Sequence, residues 1–108
     1  MAAELARLRS PAAVQAALDE FAKLGRTECL SRYAFGKARG FLVRNPRTGD
    51  LCDSKAIVGA AYGFEHPDKG PLKPTDFSGG EATVVPKLRA LGFEVARIGE
   101  DWSHHTGD

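Results

Sequence analysis

Residues 10–25 read S-P-A-A-V-Q-A-A-L-D-E-F-A-K-L-G, and they constrain the fold more than any other stretch. Ser10 has the short acceptor side chain of a helix N-cap, and Pro11 supplies a preset φ where its missing N–H is not needed. Val14, Leu18, Phe21 and Leu24 then recur every three or four residues, and Gly25 is a stop. Such a helix has one apolar stripe to bury, so the remainder of the chain must supply a partner layer.

The rest of the chain divides into short pieces. Thr27 can cap a second helix through Leu30 and Tyr33, ended by Phe35-Gly36. G-F-L-V-R (residues 40–44) and the run Asp50 to Asp53 are extended segments around N-P-R-T-G, and together they predict a β-hairpin. Asp53 or Ser54 caps a third helix whose apolar side carries Ile57, Val58, Ala61 and Tyr62, with Gly63 as its end. Glu65 to Pro74 holds His66, three prolines and Gly70, which predicts a loop. Ser78, with Glu81 three residues on, forms the pattern of a capping box ahead of Val84, Val85, Leu88 and Leu91. Pro86 falls inside that stripe and must kink the helix or delay its start. Gly92 closes it, and Phe93 to Ile98 alternates as a strand able to join the hairpin. The expectation is an α+β domain, about four helices around a small three-stranded antiparallel sheet, in the order ααββααβ.

With 108 residues, 43% of them hydrophobic, the chain suffices for one domain with a modest core. Residues 10–98 carry the periodic pattern. Residues 1–9 are expected to be an N-terminal extension, and residues 99–108, with Trp102, His104 and His105, a tail or linker. Cys29 and Cys52 have no CxxC spacing and no signal peptide ahead of them, so they are expected as reduced, partly buried thiols in a cytosolic protein. No apolar run approaches the roughly 20 residues needed to span a bilayer.

A net charge of +1 says little as a total, but its distribution is uneven. Between Gly25 and Lys55 seven basic residues (Arg26, Arg32, Lys37, Arg39, Arg44, Arg47, Lys55) face three acids, Glu28, Asp50 and Asp53. Such a segment can neutralise phosphates or can be an ordinary solvated face. Arg32, Tyr33, Lys37 and Arg39 form its densest cationic and aromatic cluster, and Tyr33 and Phe35 are equally suited to a core. The helix starts at Ser54-Lys55 and Ser78-Gly79-Gly80 offer free N–H groups to an anion, or are simply caps. Lys55 stands in a first helical turn, where the helix dipole disfavours a cation, and this hints at an anionic partner. Asp50, Asp53 and Lys55 have the residue types of a metal-dependent nuclease but not the spacing. His66, His104 and His105 form no metal-ligand pattern, and no phosphate-loop glycine motif is present. No cofactor is expected.

Three stretches carry a family resemblance: L-G-R-T-E-C-L-S-R-Y-A-F-G-K-A-R (24–39), D-S-K-A-I-V-G-A-A-Y-G (53–63) and D-F-S-G-G-E-A-T-V-V-P-K-L-R-A-L-G-F-E-V (76–95). Together they resemble the N-terminal head domain of McrA-like HNH restriction endonucleases of actinobacteria, over roughly residues 11–98. The resemblance implies a DNA-binding module of a modification-dependent, type IV nuclease acting in the bacterial cytoplasm in phage defence. Cutting would belong to an HNH domain elsewhere, and sensing of methylated or phosphorothioated DNA to other domains. The head itself would not be an enzyme. Two positions depart from the family's pattern: Tyr62 replaces the histidine of A-H-G, and Pro86 stands where a basic residue is common.

The expected partners are double-stranded DNA, methylated or not, and downstream domains of the same parent chain. Phosphate contacts are expected from Arg32, Lys37, Arg39, Lys55 and Lys87, with help from Ser54 and the amides of Ser78, Gly79 and Gly80. Tyr33 is expected nearest the bases, with Tyr62 as a further contributor. The rival reading is a protein-interaction head that positions the nuclease.

Overall fold

The computed structural model describes residues 3–36, 40–77 and 83–97. Helix α1 spans Pro11–Leu24, and its start follows the local chemistry: the Ala13 N–H donates to Ser10 Oγ at 3.1 Å. A distant residue completes that start. Glu65 Oε1 accepts from the Arg9 and Ser10 N–H groups at 2.9 and 3.0 Å, placing a carboxylate at the positive end of the helix. Gly25, at φ 88, ends α1 by donating to the Phe21 carbonyl at 2.9 Å.

That same glycine starts α2 (Arg26–Tyr33), because its carbonyl takes the Cys29 N–H at 2.9 Å. The expected Thr27 cap is therefore displaced, and Thr27 lies one residue inside the helix. Ala34, left-handed at φ 62, closes α2 ahead of the anticipated Phe35-Gly36. Phe35 itself is core.

Strands β1 (Phe41–Arg44), β2 (Leu51–Asp53) and β3 (Val95–Arg97) form an antiparallel sheet in the order β2-β1-β3. Asn45 organises the hairpin turn. Its Oδ1 accepts from the Arg47 N–H at 2.9 Å and from Gln15 Nε2 at 3.1 Å, which ties the turn to α1. Val43, Cys52 and Val95, in register across the strands, belong to the core beneath the helices.

Helix α3 spans Ser54–Glu65 and packs along α1 and against α2, α4 and the sheet. Neither expected cap serves it. Asp53 occupies the N-cap position, but its carboxylate holds Arg26, and the Ser54 hydroxyl donates to the Phe41 carbonyl at 2.8 Å. Nor does Gly63 end the helix, which runs on to Glu65. Gly63 is needed for close approach: a Cβ there would sit 2.7 Å from the Pro71 nitrogen. Gly59, one turn earlier, lies under Phe35 and the Leu72 carbonyl in the same way. These two glycines let residues 70–72 lie directly on the helix, with the Leu72 N–H donating to the Gly59 carbonyl at 3.0 Å.

Helix α4 spans Val84–Ala90, so Pro86 delays the start rather than kinking the interior, falling in a first turn whose N–H groups have no helical acceptor. The expected cap at Ser78 and its partner Glu81 lie outside the described residues, as does the tail 99–108. At the other end, Gly92 (φ 96) donates to Arg89 and Phe93 to Leu88. The N-terminal residues also differ from expectation. Ala3–Arg7 forms a 3-10 turn, and Leu5 and Leu8 are buried in the core instead of trailing as an extension.

Both cysteines are free and buried. Burial, with the nearby Glu20 carboxylate, pushes the Cys29 thiol up to about 11; burial, with Asp50, pushes Cys52 up to about 12. Since the thiolate is the reactive form, the native chain at pH 8 should react with Ellman's reagent at least about a hundredfold more slowly than the urea-unfolded chain. Fast labelling of either thiol under native conditions would contradict this packing.

Candidate nucleic-acid interface

The candidates from the sequence separate into three groups. Lys37, Arg39, Ser78, Gly79 and Gly80 lie outside the described residues. Ser54 and Tyr62 are inside the fold. The Ser54 hydroxyl is committed to the Phe41 carbonyl and cannot also serve a phosphate, and Tyr62, 1% exposed, is not at the surface where a base would meet it. Arg32, Tyr33, Lys55 and Lys87 do reach the surface.

Of these, Tyr33 is already occupied. Its hydroxyl donates to Glu20 Oε1, and burial together with that carboxylate raises its ionisation above the usual tyrosine range. Arg32 stands 3.9 Å from the same carboxylate, a loose pair that water screens. Lys55 Nζ donates to the Pro74 carbonyl at 2.8 Å and lies 5.2 Å from the centre of the Phe77 ring. The lysine in the first turn of α3 is thus explained by the segment laid over it. Among the described residues its charge has no carboxylate partner, and a carbonyl and a ring face carry no net charge.

The basic segment 25–55 is not a continuous cationic face. Arg44 pairs with Glu94 at 3.1 Å, Arg47 with Asp19 at 2.9 Å, and Arg26 holds Asp53 through two hydrogen bonds of 2.8 and 2.7 Å. The last pair differs in kind: the Asp53 side chain is 2% exposed and the Arg26 side chain 46%. Its hydrogen bond to Asp53 raises the Arg26 guanidinium above its ordinary value despite partial burial. The arginines that gave the segment its charge are balanced mainly by acids outside it, so a local charge count overstated the face.

Unbalanced cations lie instead along residues 69–77. Lys69 and Lys73 are exposed there, Arg7 joins them across a pocket of about 330 Å³, and Lys55 reaches Pro74 from below. None of the four has a carboxylate partner among the described residues. The only sequence signal for this cluster was Lys69 and Lys73 around Gly70-Pro71, and Arg7, more than sixty positions earlier, gave none. A larger cleft of about 580 Å³ runs between the end of α1 and the β2 edge, lined by Phe21, Leu42, Asn45, Asp53 and Arg26 among others. The polar groups Asn45, Asp53 and Arg26 in that cleft already bond one another's neighbours or each other, so it has the character of a structural seam.

Among the described residues no cluster of His, Cys, Asp and Glu could hold a metal ion, and no helix is long and apolar enough to cross a membrane. Fold and site together define a class: a small α+β domain in which the cations without a carboxylate partner among the described residues gather at one loop. The model of the ScoMcrA-like, N-terminal head domain family matches residues 7–97, and the chain belongs to that family. No curated protein and no solved structure matches it.

Proposed function

We propose that this domain binds double-stranded DNA through the phosphate backbone, as the non-cutting head of a modification-dependent type IV nuclease. The observation that carries the reading is the group Arg7, Lys55, Lys69 and Lys73, four charges at one short segment with no carboxylate partner among the described residues. Phosphates supply the missing counter-charge, and the release of condensed counterions supplies the driving force. Arg32 and Lys87 also reach the surface and are further phosphate contacts in this reading, Arg32 by exchanging its loose carboxylate for a phosphate. Family membership supports the same reading through the resemblance already noted, which implies that a head domain of this kind stands beside a DNA-cutting domain.

The test is a fluorescence-anisotropy titration of a duplex, unmodified, hemimethylated, fully methylated or phosphorothioated, at several salt concentrations. Three to four phosphate contacts predict a log–log salt slope near −3, from about −0.9 per contact. Lys73→Ala should reduce that slope by about one contact and weaken all duplexes alike. Binding that ignores salt would sink the reading.

One feature favours a second reading, a protein-docking head. Phe64 is 44% exposed, beside a shallow cleft of about 290 Å³ that Ala60, Pro67 and Pro71 help to line. Contact with neighbouring domains, combined with no DNA affinity in the same titration, would select it.

A further inference from the structure

The pocket of about 330 Å³ at the C-terminal end of α3 holds a polar group that the fold does not use. Tyr62 forms part of its wall, is 1% exposed, and has a buried hydroxyl with no hydrogen-bond partner among the described residues. Buried hydroxyls in folded proteins nearly always find a partner, because an unmade bond leaves the full desolvation cost standing. The nearest ring, His66, does not help: it lies 4.7 Å from the Tyr62 ring, centre to centre, and its Nε2 donates to the Arg7 carbonyl at 3.0 Å.

The same pocket is lined by Arg7, Lys69 and Lys73 and by one acid, Asp76. The Asp76 carboxylate already accepts the Lys73 backbone N–H at 2.7 Å. The rim is held in place from three sides. The Lys69 and Gly70 N–H groups donate to the His66 carbonyl, the Leu72 N–H to Gly59, and the Arg7 carbonyl accepts from His66. An unpartnered hydroxyl on a residue of the pocket wall, with three cations lining the same pocket on a fixed rim, is an arrangement that suits an oxyanion: the cations balance its charge and the hydroxyl can give one oxygen a directed hydrogen bond.

We propose that this pocket seats one phosphoryl group, with the Tyr62 hydroxyl donating to a phosphoryl oxygen and Arg7, Lys69 and Lys73 closing around it. Where that group belongs to DNA, the site is one phosphate contact of the function proposed above and rests on that reading. A small phosphorylated molecule is the other source of the same chemistry.

The experiment is an amide NMR titration of the full chain with inorganic phosphate at constant ionic strength, with chloride as the control anion. Saturable shifts at Lys69, Gly70, Leu72 and Lys73 are expected. Tyr62→Phe should weaken phosphate binding about tenfold while leaving the melting temperature unchanged or higher, since the removed hydroxyl makes no bond within the fold. Lys73→Gln should weaken it as well. Shifts that never saturate, or that chloride reproduces, overturn the proposal, as does undiminished phosphate binding by a folded Tyr62→Phe. A short duplex added next separates the two readings. A duplex that displaces phosphate from these amides, and binds less tightly to Tyr62→Phe, supports both. Saturable phosphate binding with no duplex affinity supports the pocket, as a site for small phosphorylated molecules, and removes the DNA reading. Duplex binding with no phosphate response at these amides removes the pocket and keeps the DNA reading.

Discussion

Gly63→Val is expected to cost about 3 kcal/mol of folding stability, at the upper end of what overpacking does. A Cβ at that position would stand 2.7 Å from the Pro71 nitrogen, 3.0 Å from its Cα and 3.1 Å from the Gly70 carbonyl carbon, all backbone atoms. No rotamer change relieves such a contact, so either α3 bends or residues 70–72 lift away. Lifting them breaks the bond from the Leu72 N–H to Gly59 and carries Lys69 and Lys73 off the pocket rim. Valine's second penalty, stiffness at χ1 in a helix, is smaller. Gly63→Ala would gain roughly 1 kcal/mol of helix propensity, yet it should still be destabilising because its methyl group meets the same backbone. Gly36→Ala is the control: nothing lies within 4 Å of the added carbon, so it should change stability by less than about 1 kcal/mol in either direction. Thermal unfolding reads the difference, with Gly63→Val melting roughly 15 °C below the parent chain. A valine variant as stable as the parent would mean that residues 70–72 do not rest on α3.

Gly63 also shows where the sequence could and could not be read. Glycine near the end of an apolar stripe is usually a stop, and at Gly25 and Gly92 that reading agrees with the structure, because each takes a positive φ and closes a helix through its own N–H. At Gly63 the same letter serves packing between segments, which becomes visible only once residues 70–72 are placed. The caps divide along the same line. Ser10 caps α1 because its acceptor finds no better partner, whereas Asp53 and Ser54 have long-range partners in Arg26 and Phe41 that outcompete a local bond. Element order and sheet pairing were legible because periodicity and turn residues act over a few positions. The candidate site was less legible. Charge balance is a property of surfaces, and Asp19, Glu20 and Glu94 neutralise arginines lying 12 to 50 positions away. Arg7 reaches Lys69 and Lys73 only because α1 and α3 pack antiparallel, with Glu65 and His66 holding the chain before α1.

Removing either half of the Arg26–Asp53 pair should destabilise the fold, and the two halves should not cost the same. Arg26→Ala removes the guanidinium, and with it two hydrogen bonds, from a carboxylate that is 2% exposed. Breaking a fully buried pair costs about 3–5 kcal/mol, and because Arg26 is half in solvent the expected loss here is roughly 2–3 kcal/mol. Asp53→Asn keeps the shape of the side chain and leaves the charge on the partner that water can still reach, so it should cost about 1 kcal/mol. Arg26→Lys should fall between them, because an ammonium keeps the charge but not the planar, two-point grip. The pair joins the start of α2 to the junction of β2 and α3, so its loss should appear as a lower urea midpoint with an unchanged m-value. A double-mutant cycle with Arg26→Ala and Asp53→Asn should give a coupling of at least about 1 kcal/mol. If Asp53→Asn proves the more damaging substitution, the other contacts of that carboxylate outweigh the guanidinium. Equal, small losses would mean that this corner is wetter than its burial implies and that the β2–α3 junction is held by the Ser54 bond to Phe41.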